Sequence, residues 1–153
     1  MPTFKSITSS DPIKEIIKSA FDFEADLSGG WGYTSKDATI IHSTNNMPAE
    51  QFEHTLATMR AYIEMNMTLS KEARYGSVNP SESSRETVMI DAVSYEKVTY
   101  TVTAMKEDIY ADFINAYKKG YGTPDFDMSN HFKQRKEATL SREVEHWFLR
   151  DNV

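Results

Sequence analysis

The sequence contains no cysteine among its 153 residues. Without thiols the chain has no disulfide framework, no thiolate zinc or iron–sulfur site and no cysteine nucleophile. Metal binding would depend on the four histidines together with carboxylates. Glu143 and His146 form one Glu-x-x-His element of the di-iron type, but the matching position before His54 is Gln51. We therefore predict no metal site and no cofactor.

Long apolar runs are also missing. The longest contain three residues, for example Val88 to Ile90 and Trp147 to Leu149, whereas a helix that crosses a bilayer needs about 20. The opening residues Met1 to Lys5 lack the apolar segment of a secretory signal. We expect a cytoplasmic protein that does not contact membranes.

Positive charge is the scarcer sign. Seventeen Lys and Arg residues oppose 23 Asp and Glu residues, which gives a net charge of −6. A field of this sign repels phosphate backbones, so we predict that nucleic acid is not a partner. Nucleophile elbows, phosphate-binding loops and His-Glu-x-x-His helices are absent too, and the sequence does not predict an enzyme.

The few glycines and prolines mark the ends of predicted elements in the first half of the chain. A first helix follows Pro12, because apolar residues recur at helical spacing from Ile13 to Phe21. Two short β-prone runs, 31–34 and 38–42, predict a hairpin. The longest amphipathic helix begins at Pro48.

The second half begins with residues 70–85, which are rich in serine and contain Gly76 and Pro80 and therefore predict one long loop. Alternation from Val98 to Ala104 predicts a strand whose partner is 87–93. A helix from Glu107 ends at Gly120. The apolar residues of 138–149 fit both the helical spacing of three to four residues and the alternation of a strand. We predict a helix and keep a final strand as the alternative.

Together these elements predict a single domain spanning residues 1–153. Their order is α-β-β-α-β-β-α-α, with the long loop at 70–85 between the two halves. Short connections within each strand pair favour an antiparallel sheet. The predicted fold is therefore α+β, with a sheet built from two hairpins and helices packed on one face.

The leading functional hypothesis is an acidic binding or adaptor domain that contacts itself, as a homodimer, or another protein. Methionine and tyrosine are enriched at adaptable interfaces. Half of the methionines lie in or beside the second helix, and five of the eight tyrosines lie within residues 95–121. The helix or an edge strand would form the interface. The candidate interface residues are Met59, Tyr62, Met65, Tyr110 and Tyr117.

The alternative is a small-molecule-binding protein or enzyme. Its pocket would lie between the sheet and the helices, under the 70–85 loop. Aromatic side chains would supply apolar contact, and basic or imidazole groups would supply polar contact. The candidate pocket residues are Trp31, Tyr33, His42, Arg85 and Tyr100.

Overall fold

The computed structural model describes residues 4–67, 69–70 and 73–150, which fold into four α-helices and one five-stranded sheet. In chain order the elements are α1 (Ile13–Phe21), β1 (Leu27–Gly29), β2 (Thr39–Ile41), α2 (Ala49–Tyr62), β3 (Tyr75–Ile90), β4 (Val93–Lys106), α3 (Glu107–Gly120), α4 (Met128–Ala138) and β5 (Leu140–Arg150). The strand order is β1-β2-β5-β4-β3. The α+β class is confirmed. The purely antiparallel arrangement is wrong, because β5 lies between the two hairpins and runs parallel to β2.

The C-terminal segment forms a strand, and the helix predicted over 138–149 is wrong. Helix α4 ends at Ala138, and β5 then pairs with β2 on one side and β4 on the other. Its alternation places His146 and Phe148 in the core and leaves Glu143 and Glu145 exposed. Pairing on both sides of a central strand outweighs the helical preference of this composition.

Residues 75–85 belong to β3, which corrects the long loop expected over 70–85; residues 71 and 72 lie outside the described part. The strand is at the edge of the sheet, and its pairing with β4 is interrupted between Gly76 and Asn79 and again between Glu82 and Ser84. Bulges of this kind, and Pro80 between them, are tolerated on an edge strand because one side needs no ladder hydrogen bonds. The irregular composition therefore marks a bulged edge strand.

The first hairpin is displaced from its predicted position. Strand β2 falls within the predicted 38–42 run, but β1 precedes the run 31–34, which lies in the connection. Gly29 and Gly32 have φ near +80°, outside the β region. The Asp37 carboxylate accepts the Thr34 N–H at 2.6 Å and fixes a short 3₁₀ turn.

The core lies between one face of the sheet and α1 and α2. Phe52 and Leu56 of α2 pack in the same buried cluster as Val98, Tyr100 and Val102 of β4. The intervening threonines of β4 are half-exposed on the opposite face, as the alternation predicts.

Helices α3 and α4 form a hairpin inserted between β4 and β5. Helix α3 begins at Glu107 and ends at Gly120, as predicted, and none of its residues is buried. In α4 the buried residue is His131. The hairpin therefore adds little to the core and leaves most of its side chains at the surface.

Candidate functional site

Three charged side chains on α2, and on the π-helical turn that continues it over Ile63–Met67, are buried. Glu53, Arg60 and Glu64 are 0%, 1% and 2% exposed. Their spacing of seven and four residues places them on one face of the helix. A buried charge is costly unless it is paired and hydrogen-bonded, so each of the three requires partners from other elements.

The Glu53 carboxylate is held by two arginines from different strands. Its Oε1 accepts from Arg85 Nη1 at 2.7 Å and from Arg150 Nη2 at 3.2 Å. Arg85 also donates to Glu82 at 2.8 Å. The cluster therefore ties α2 to the edge strand β3 and to the end of the central strand β5.

Tyr100 lies beside this cluster. Its side chain is fully buried, and its hydroxyl has no hydrogen-bond partner among the described residues. Burial raises the pKa of Tyr100, and the charge of Glu53 raises it further. The phenol therefore stays protonated and contributes chiefly apolar contact to the core.

Arg60 is bound by backbone carbonyls. Its Nη1 donates to the Trp31 carbonyl at 3.0 Å and its Nη2 donates to the Glu145 carbonyl at 2.7 Å. The guanidinium also lies 4.6 Å from the centre of the Tyr33 ring, a cation–π distance. Burial lowers the pKa of Arg60, but arginine remains charged in proteins.

Glu64 joins Tyr33 to Arg142 of β5. The Tyr33 hydroxyl donates to Glu64 Oε2, and Arg142 Nη1 donates to Oε1 at 3.0 Å. Burial raises the pKa of Tyr33, and its hydrogen bond to Glu64 raises it further. The hydroxyl keeps its proton and also accepts the Ile7 N–H at 3.0 Å.

These groups border a cavity of about 250 Å³ between α2, β5 and the N-terminal segment. The lining residues are Phe4, Ser6, Tyr33, Arg60, Glu64, Arg142, Val144 and Glu145. Phe4 covers one side, with its ring 4.6 Å from the Arg142 guanidinium carbon. The arrangement places two arginines, two carboxylates (Glu64 and Glu145) and two hydroxyls around a small cavity that is partly open to solvent.

His146 is buried next to this region, where its ring stacks on Phe148 at 4.0 Å. The Thr39 hydroxyl donates to the Gly30 carbonyl at 2.7 Å, so it accepts from His146 Nε2 at 3.1 Å. The other nitrogen, Nδ1, has no partner in the described part of the chain. Burial lowers the pKa of His146 well below its usual value, and Arg60 adds to the effect, so the ring is neutral.

The predicted pocket residues divide between two places. Trp31 is buried and Tyr33 is half-buried, and both contact Arg60 at the cavity. Arg85 and Tyr100 belong instead to the Glu53 cluster.

His42 lies apart from both groups. Its Nε2 is 2.8 Å from the Ser28 hydroxyl, across the β1–β2 pair. The five predicted pocket residues therefore do not line one cavity, and Tyr33 is the one that borders the cavity described above.

The predicted interface residues lie in three environments. Met65 is fully buried in the core, whereas Met59 belongs to the core but also lines a surface cavity together with Tyr62. Tyr62 is exposed and packs edge-on against Phe21, with the ring centres 5.8 Å apart.

The other two interface candidates are on α3, where both are half-buried. The Arg135 guanidinium lies 5.9 Å from the Tyr110 ring. Tyr117 packs among the aromatic rings between α3 and α4, which include Phe126 and His131.

The charged residues of the site are not predicted as buried from the sequence. Glu53, Arg60 and Glu64 lie on a helix that reads as amphipathic, where charges are usually solvated. Their spacing of seven and four residues, which places them on one face of the helix, is the sequence feature that could have indicated a shared buried site. Arg142 and Arg150 carry no such signal, because their placement depends on β5 being a strand.

The described residues bring no three His, Asp or Glu side chains into a metal-binding group. None of the helices in this part of the chain combines the length and hydrophobicity needed to span a membrane. Comparisons with protein-family models, curated proteins and solved structures find no match to this chain.

Proposed function

We propose that this protein binds a small organic anion in the cavity between α2 and β5. The observation that carries the proposal is the convergence of Arg60 and Arg142 on a cavity where Glu64 is the balancing carboxylate. The carboxylate of Glu145, which also lines it, is paired with Lys97 at 3.3 Å. Because Lys97 neutralises Glu145, the charge of the two arginines is opposed within the cavity by Glu64, which favours a ligand with a single negative charge.

Hydrogen-bonding capacity supports the same ligand class. A guanidinium has five N–H donors, and Arg142 uses one of its nitrogens for Glu64. A carboxylate accepts from arginine in a two-pronged geometry that adds both energy and direction. We therefore expect the anionic end of the ligand to lie against Arg142.

The remaining walls favour a compact apolar body. Phe4 and Val144 provide apolar surface, and Ser6 and the Tyr33 hydroxyl provide polar contacts. Ligand sites in proteins most often have volumes of about 300–1,000 Å³, so this cavity of about 250 Å³ suits a small ligand.

Phenylacetate is a suitable probe, with the uncharged 2-phenylethanol as its matched control. We expect phenylacetate to raise the melting temperature, because a ligand at 100 times its dissociation constant adds about 2.7 kcal/mol to stability. We expect Arg142→Gln to weaken binding about tenfold, through loss of a charge-assisted contact. Thermal denaturation and titration by NMR measure the two effects.

Two further variants make the test specific. Val144→Phe keeps every charge but fills the cavity, so it should block binding. Arg74→Gln removes an exposed arginine outside the cavity and should leave affinity unchanged. Equal stabilisation by the acid and the alcohol, or full affinity in Arg142→Gln, would contradict the proposal.

A second candidate function, contact with another copy of the chain, is favoured by the β3–β4 turn. Met89 is 63% exposed, and Ile90 and Val93 beside it are also exposed. Asp91 and Ala92 between them have positive φ, as in a two-residue hairpin turn. The turn therefore presents apolar side chains at the end of the β3–β4 hairpin, beside the edge strand.

Sedimentation velocity over a range of concentrations tests this homodimer. We expect the wild type to self-associate and Met89→Lys/Val93→Lys to remain monomeric, because buried unpaired charges oppose association. Ser81→Lys, an exposed change elsewhere on β3, should still dimerise. A wild type that is monomeric at the highest concentration removes this candidate.

A further inference from the structure

A second, larger concave site lies between α3 and α4, away from the cavity described above. Its volume is about 580 Å³, within the range of about 300–1,000 Å³ usual for ligand pockets. The lining residues are Ile109, Asp112, Phe113, Ala116, Asp125, Phe126, Asp127, Asn130, His131 and Gln134. We call this site the α3–α4 groove.

The apolar part of the groove is built around Phe113 and Phe126. Phe126 packs so tightly on the end of α3 that a Cβ at Gly120 would come within 2.7 Å of its ring. His131 packs between them, with ring centres 5.6 Å from Phe113 and 5.4 Å from Phe126. These contacts fix the aromatic surface in position.

The polar part of the groove is acidic. Three aspartates line it, and no lysine or arginine does. Asp127 caps α4 by accepting the Asn130 N–H at 3.0 Å, which offsets the partial positive charge of that helix end. Asp112 and Asp125 have no hydrogen bond or ion pair to any residue that the structure describes.

His131 supplies an independent observation. The side chain lines the groove and is 5% exposed, yet its Nε2 has no hydrogen-bond partner within the described residues. An unpartnered buried polar atom costs free energy, which a ligand able to hydrogen-bond there would recover.

We propose that the α3–α4 groove binds a small organic amine, with its ammonium group between Asp112 and Asp125 and its apolar body against Phe113 and Phe126. Carboxylates attract the ammonium, and aromatic faces attract a cation as well as an apolar group. Arginine-lined walls, as in the other cavity, would select the opposite charge. The proposal rests on different elements from the anion site and does not depend on it.

The test compares 2-phenylethylamine with 2-phenylethanol, which has the same apolar body without the charge. We expect the amine to shift the backbone NMR signals of the residues that line the groove and to bind about tenfold more tightly than the alcohol. Asp112→Asn/Asp125→Asn should weaken amine binding about tenfold and leave alcohol binding unchanged.

Two variants serve as controls. Asp26→Asn removes an exposed carboxylate outside the groove and should bind the amine like the wild type. Ala116→Phe keeps all the carboxylates but fills the groove, so it should block both ligands.

The proposal is overturned if the amine and the alcohol bind equally or if the double asparagine variant keeps full amine affinity. It is also overturned if the amine at tens of millimolar causes no shifts in the groove. A blocked Ala-Lys-Phe-Ala peptide that binds more tightly than the amine would identify a lysine of another protein as the occupant, in place of a small molecule.

Loss of phenylacetate binding in the cavity between α2 and β5 would not affect the expected binding of 2-phenylethylamine in the α3–α4 groove. The two probes therefore separate failure of the anion site from failure of the amine site.

Discussion

Replacing both Arg85 and Arg150 with methionine is expected to lower the free energy of unfolding by about 3–5 kcal/mol, the usual cost of leaving a buried charge without its partner. Glu53 is 0% exposed, and these two arginines are the cations within hydrogen-bonding distance of its carboxylate among the described residues. Urea denaturation followed by circular dichroism measures the loss.

Adding Glu53→Met to that variant should restore most of the lost stability. Replacement of a whole buried ion cluster by apolar side chains is often neutral, because the desolvation cost disappears with the charges. Lys18→Met, which removes the exposed ion pairs of Lys18 with Asp22 and Glu24, should change little. A double arginine variant as stable as the wild type would show that Glu53 does not depend on either arginine.

Replacing Gly32 with alanine is expected to cost about 2–5 kcal/mol, the sum of a left-handed backbone penalty of about 1–2 and an overpacking cost of about 1–3. Gly32 has φ +79°, and an added Cβ would lie 2.7 Å from both His146 Nε2 and the Trp147 carbonyl oxygen. The Gly32 carbonyl also accepts the Trp147 N–H at 2.8 Å, which holds this connection against β5.

Gly122 provides a matched control for the cost of placing a residue with a Cβ at positive φ. Its φ is +82°, but nothing lies within 4 Å of an added Cβ. Gly122→Ala should therefore cost only about 1–2 kcal/mol, and the difference between the two variants measures the conflict with His146 and β5. Equal losses would show that the close packing at Gly32 has no energetic weight.

The same substitution should affect the proposed anion site. Tyr33 follows Gly32 directly and lines the cavity, so a displaced connection moves its hydroxyl away from Glu64. We expect Gly32→Ala to weaken phenylacetate binding, whereas Gly122→Ala should leave it unchanged.

Local sequence patterns are sufficient to predict the helices and strands that carry apolar residues on one face. Ile13 and Ile17 predict α1, and both are buried in the core. Alternation from Val98 to Ala104 predicts β4, where those residues face the core and the threonines face outward. Glu107 and Gly120 mark the ends of α3, because an acidic residue is favourable at the N-terminal end of the helix dipole and glycine is favourable where a helix ends.

The strands β3 and β5 are not predictable in this way. Residues 75–85 have a composition typical of loops, and pairing with β4 holds them extended. Residues 138–149 fit both helix and strand, and the pairing of β5 with β2 and β4, both distant in sequence, decides between them. Hydrogen bonds between strands that are distant in sequence do not produce a regular spacing of apolar residues within one segment, so the segment alone does not reveal them.

The candidate site depends on the same long-range pairing. Trp31 and Tyr33 are identifiable as aromatic residues beside flexible glycines, but the cation that joins them, Arg60, comes from α2. Arg142 and Arg150 reach Glu64 and Glu53 only because β5 crosses the centre of the sheet.

The sequence by itself determined the absence of thiol chemistry, the acidic balance, the α+β class and the positions of α1, α2, α3 and β4. These follow from composition and from patterns that repeat within one element. Only the tertiary structure decided that the sheet is mixed, that charges on α2 are buried, that Arg60 and Arg142 meet at one cavity, and that three aspartates line the α3–α4 groove. The physical reason is that a buried charge is stable only beside partners from other segments, and the folded chain alone brings those segments together.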